Sequence, residues 1–70
     1  MYHVMVKSNK SVIAEEVLDG LADAVAFGRE NSVEGNVIDI YDALQDASGK
    51  IMHLHKVISM MMTNEYHKVT

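Results

Sequence analysis

Between Asn36 and Met62 the chain spells out a β-hairpin, and no other stretch constrains the fold as tightly. An alternating run, Val37-Ile38-Asp39-Ile40-Tyr41-Asp42, leads to the turn signal Asp46-Ala47-Ser48-Gly49 and then to a second run, Ile51-Met52-His53-Leu54-His55. Successive side chains of a strand point to opposite faces, so Ile38 and Ile40 share one face, and Met52, Leu54, Ile58 and Met60 are expected to join them under a helix. Asp39, Tyr41, His53 and His55 then face the other way. A two-residue loop would set Ile40 beside His55. An odd-length loop containing Gly49 avoids this, and one such register pairs Tyr41 with His53 and Asp39 with His55.

Upstream, Tyr2 to Lys7 alternates Tyr2, Val4 and Val6 with His3, Met5 and Lys7 and ends at the turn-prone Ser8-Asn9-Lys10-Ser11, which predicts a strand. From Leu21 to Asn31 the residues Leu21, Ala24, Val25 and Gly28 fall on one helical face, opposite Asp23 and Glu30. Gly20 serves as N-cap, Asp23 suits the positive end of the helix dipole, and Asn31, Ser32 and Gly35 end the helix. Ser11 to Leu18 admits two readings. Ile13, Val17 and Leu18 extend the apolar helical face, yet Asp19-Gly20 signals a turn, Val12-Ile13 is β-prone, and a single helix would overhang the strands. We favour a strand. The expected fold is α+β, an antiparallel sheet of four (alternatively three) strands with one helix packed on one face, because short connections leave no room for parallel crossovers.

The stretch Leu18-Asp19-Gly20-Leu21-Ala22-Asp23-Ala24-Val25-Ala26-Phe27-Gly28-Arg29-Glu30, followed by a strand, a Gly-Lys turn and a strand, resembles small uncharacterised bacterial and phage domains of strand-strand-helix-strand-strand layout. The likeness is one of capping and patterning, and it implies no functional residue.

Seventy residues suggest one domain, 1-70, with 63-70 as a frayed polar tail. A chain of this length buries only roughly 60% of its unfolded surface. There is no cysteine to staple the core, which excludes disulfide scaffolds and cysteine-based zinc ribbons. A partner subunit is the remaining common staple, so a homodimer through a sheet edge and the Met-rich strand end is expected. No basic leader with an apolar stretch and no run long enough to span a bilayer occurs, so a cytoplasmic location without membrane contact is expected. A net charge of −4 disfavours direct nucleic-acid binding.

Few residues carry chemistry. His53 and His55, two apart on a strand with Asp39 opposite, form a candidate divalent-metal set to which His3 or His67 would add a ligand. The competing reading, which carries more weight, is that these are ordinary cross-strand pairs. The acidic residues Glu15, Glu16, Asp19, Asp23 and Glu30 form a candidate negative stripe for a basic partner, though such runs are usually solvated faces. Met60, Met61 and Met62, with Ile58 and Met5, form an adaptable apolar surface for a partner or fill the sheet end, at even odds. Lys56 falls on the core face unless it snorkels or the strand bulges there. Nothing matches a nucleotide loop, a nucleophile–base set or an RNA-binding aromatic motif. The expected function is therefore a small non-enzymatic, cofactor-free protein-binding module or regulator, such as a phage-type inhibitor of a host or defence enzyme. A divalent-metal-binding domain is the alternative.

Overall fold

A computed structural model describes residues 1–61 of the chain. Its elements run β1 (Tyr2–Ser8), β2 (Ser11–Leu18), α1 (Leu21–Glu30), β3 (Asn36–Gln45) and β4 (Ile51–Met61). All neighbouring strands are antiparallel, in the order β2-β1-β3-β4. Ser11–Leu18 is a strand, and the sheet has four strands with the helix on one face. The segment expected to be a tail, 63–70, and with it Met62, lies outside the described residues.

The β1–β2 turn explains why Ser11 onward returns as a strand. Asn9 and Lys10 both have positive φ, 52° and 69°, the pattern of a two-residue type I′ turn, whose twist matches that of the flanking strands. The later turn is a five-residue loop, Asp46 to Lys50. The Asp46 N–H donates to the Lys50 carbonyl at 2.9 Å, and Asp46 Oδ1 accepts from the Ser48 and Lys50 amides and from Ser48 Oγ. The Ser48 hydroxyl and these amides hold the Asp46 carboxyl below its usual value. Gly49 takes φ +92°, a conformation that favours glycine. The odd-length loop was expected; its register was not.

The core lies between α1 and one face of the sheet, centred on the two inner strands β1 and β3. Val4, Val6, Ile38, Ile40 and Ala24 are fully buried, with Tyr2, Leu18, Val25, Phe27, Ile58 and Met60 packed around them. The helix sits close because its inward positions are small: a Cβ at Gly28 would lie 3.1 Å from Met60 Cε and 3.2 Å from Ile38 Cγ2. Its C-terminus is closed by Asn31, whose side-chain amide donates to the Phe27 carbonyl at 2.9 Å.

Three irregularities decide which face each side chain takes. Two lie in β4. Pairing runs Ala43↔His53, then Asp42↔His55, so Leu54 is extra; it runs Tyr41↔Lys56, then Ile40↔Ile58, so Val57 is extra. Without these bulges the loop register would place Lys56 opposite Ile40 in the core. The bulges move it opposite Tyr41, on the open face, and return Ile58 and Met60 to the helix side. The third irregularity is in β2, where Ile13 is skipped between Lys7↔Val12 and Val6↔Ala14. It sets Glu15 opposite Met5 on the open face.

Candidate functional site

The open face carries a line of polar side chains that reaches across the sheet from one edge strand to the other. Glu15 on β2, His3 on β1 and His53 on β4 are joined in sequence: His3 Nε2 lies 2.7 Å from Glu15 Oε1, and His3 Nδ1 lies 2.8 Å from His53 Nε2. The His3–His53 bond spans the intervening β3. Ala43, paired with His53 and fully buried, has only a methyl at that point and leaves room for the two rings. Tyr41 completes the cluster, its ring stacked on His53 at 3.9 Å between centroids with an interplanar angle of 4°.

The protons in this line follow from the donor inventory. A carboxylate only accepts, so His3 Nε2 carries the hydrogen toward Glu15; a neutral His3 then offers its Nδ1 lone pair to the His53 Nε2–H. Although no second layer among the described residues covers this face, His3 is only 6% exposed, and both its nitrogens are engaged. Desolvation, reinforced by the nearby charges of His3 and Lys7, pushes the His53 pKa below its usual 6.5.

A second cluster adjoins the first. Asp39, 4% exposed, accepts from Ser59 Oγ at 3.0 Å and lies 3.3 Å from Lys7 Nζ and 3.5 Å from Lys56 Nζ. Burial by itself would raise its pKa, but the Ser59 hydroxyl and the two ammonium groups outweigh it and hold the carboxyl below its usual 3.8. Lys56 Nζ also sits 5.8 Å from the Tyr41 ring centroid. Among the described residues no buried side-chain nitrogen or oxygen lacks a partner.

Several sequence expectations are corrected by this geometry. Asp39 faces Ser59, not His55, and its carboxylate is taken by two lysines. Tyr41 pairs with Lys56 along the backbone and meets His53 only by stacking. The register of the loop puts His53 opposite Ala43 on the open face, the bulge at Leu54 then puts His55 opposite Asp42 on the helix side, and the metal set His53, His55 and Asp39 is not brought together. Among the described residues no group of three or more His, Cys, Asp or Glu is placed to hold a metal ion. The proposed further ligand His67 lies outside the described residues. His3 does reach His53, but through a direct bond.

The partner-surface residues also separate. As neighbours on a strand, Glu15 and Glu16 take opposite faces. Glu16 accepts from the Val17 amide at 3.3 Å, Asp19 lies in the bend before the helix and Asp23 in its first turn, so they form no single stripe. Met60 packs into the core against the Gly28 position, whereas Met61 is exposed. Sequence reading missed the Glu15–His3–His53 line. Its one available signal was His3 alternating onto the polar side of β1; the position of Glu15 depends on a bulge that no pattern announces.

The arm of the β3–β4 hairpin is the other notable feature. β4 has 11 residues, about 36 Å of strand, while the ten-residue helix covers about 15 Å. Beyond the helix Leu44, Met52 and Leu54 stand 52%, 45% and 53% exposed. Among the described residues no helix is long and apolar enough to cross a membrane. No protein-family model, curated protein or solved structure matches this chain.

Proposed function

We propose that the chain is a small non-catalytic binding module that docks through the outer edge of β4 and the apolar arm beside it, with a second copy of itself as the partner. Exposed Met52 and Leu54 on β4, which among the described residues is an edge strand, together with exposed Leu44 on the neighbouring β3, carry this reading. A free edge presents unpaired amides and carbonyls along its length, and apolar side chains beside it supply the burial that makes strand addition stable. A twofold axis along β4 lets the same edge meet itself antiparallel and brings the two arms together. A core of this size contributes only a few kcal/mol by itself, so association also serves stability.

Light scattering tests the reading. At high micromolar concentration a mass of twice 7.8 kDa is expected, and the double variant Met52→Glu/Leu54→Glu is expected to run as a monomer. A wild-type mass of 7.8 kDa would remove self-association. A dimer surviving in the double variant would move the interface off the arm.

A further inference from the structure

We infer that the His3–His53 bond is a single-proton latch that fastens the β4 arm to the rest of the sheet. The inference rests on the arm being the docking surface and concerns how that surface is regulated. The geometry carries it: an Nδ1···Nε2 separation of 2.8 Å requires one nitrogen to donate and the other to accept. With both rings neutral, His53 Nε2–H donates to His3 Nδ1. With one added proton the bond survives, because either ring as a cation donates to the free nitrogen of the other. With two added protons both facing nitrogens carry hydrogen, and the contact becomes N–H against H–N between like charges. The latch therefore opens on the second proton.

Every charged group around the pair bears on that step. Glu15 on β2 accepts from His3 and anchors it. Lys7 on β1, Lys56 on β4 and the N-terminal ammonium, which donates to the Ala43 carbonyl at 3.3 Å, oppose added positive charge, while Asp39 on β3 is already held by the two lysines. Tyr41 on β3 stacks on His53. Asp42 and His55 lie on the other face by register.

What opens is local. His53 lies beside the Leu54 bulge, where the β3–β4 ladder is already interrupted, so losing the side-chain tie leaves Ile51–His55 held by its pairing with Asp42–Gln45 and by the Asp46 turn, without the tie to β1. Acid then loosens the arm and weakens docking on it.

Nuclear magnetic resonance on the free chain tests the latch without needing a partner, so its outcome stands apart from that of the light scattering. At pH 7.5 a scalar coupling between His3 Nδ1 and His53 Nε2 is expected, lost as the pH is taken down through the depressed His53 pKa. Over the same window, protection factors of the β4 amides near His53 should drop about tenfold, the change that corresponds to 1.36 kcal/mol, while those of Val4 and Val6 hold. His53→Gln should show low arm protection at both pH values, and His55→Gln should keep the wild-type drop. A coupling that persists at low pH, arm protection that does not change, or an equal pH-dependent drop in His53→Gln overturns the latch.

Discussion

The two faces of this sheet are built from the same strands and bury their residues by opposite means. Under the helix, Val4, Val6, Ile38 and Ile40 are excluded from water by close packing against Ala24 and Gly28. On the open face no other described element lies overhead, yet His3 and Asp39 are buried because neighbouring polar side chains lean over them and satisfy them. The apolar face depends on volume. The polar face depends on completeness, since each group there is stable only while its partner remains.

That contrast predicts a ranked series of effects. Truncating the apolar face should do the most damage: Ile40→Ala removes a fully buried side chain and is expected to cost about 2–5 kcal/mol, enough to unfold most of the population, as urea denaturation would register. A loss under about 1 kcal/mol would mean the helix collapses into the space, and the packing account would be wrong.

Next comes the buried acid. Asp39→Ala leaves Lys7 and Lys56 facing each other without their shared partner and should cost about 1–3 kcal/mol. Because the folded carboxyl is held below 3.8, the unfolded chain takes up its proton first as pH falls. The Asp39 contribution is thus present above about pH 3.8 and lost as pH drops through the folded pKa. Acid titration of stability should show this limb in the wild type and not in Asp39→Ala; identical acid limbs would show that the ion cluster does not stabilise the fold.

The imidazole pair should give a smaller effect at milder pH. Since the folded His53 pKa lies below 6.5, the unfolded chain binds that proton more readily, and stability is full above about 6.5 and declines as pH falls through the folded value. Urea midpoints at pH 7.5 and 5.5 should differ less in His53→Gln than in the wild type. Equal differences would assign the decline to other groups. Last, Glu15→Gln keeps the hydrogen bond to His3 but removes the charge from a carboxylate that is itself exposed, and should change stability by no more than about 1 kcal/mol. A larger loss would mean that Glu15 anchors the whole line.

Alternation and turn chemistry made most of the fold legible. The type I′ turn at Asn9-Lys10, the Asp46–Gly49 turn, the helix from Leu21 and the apolar faces of β1 and β3 all follow from local patterns. The Ser11–Leu18 segment was readable two ways because Glu15, Glu16, Val17 and Leu18 fit a helical period as well as a bulged strand. The candidate site was much less legible. His53 was marked, but it was grouped with His55 and Asp39 on the assumption of an unbroken ladder.

The sequence by itself determined the first strand, a helix from Leu21 and the second hairpin, because periods of 2 and 3.6 and a few turn residues are local properties of the backbone, while Ser11–Leu18 stayed open between strand and helix. Only the tertiary structure decided which polar residues meet. Each bulge at Ile13, Leu54 and Val57 shifts the register by one residue and so reverses the faces of everything beyond it. The bulge at Leu54 keeps Lys56 out of the core, and the bulge at Val57 returns Ile58 and Met60 to it. The bulge at Ile13 brings Glu15 beside His3, and the pairing of β1 with β3 and of β3 with β4 brings His53 there, so the line is assembled by strand pairing and no local pattern contained it.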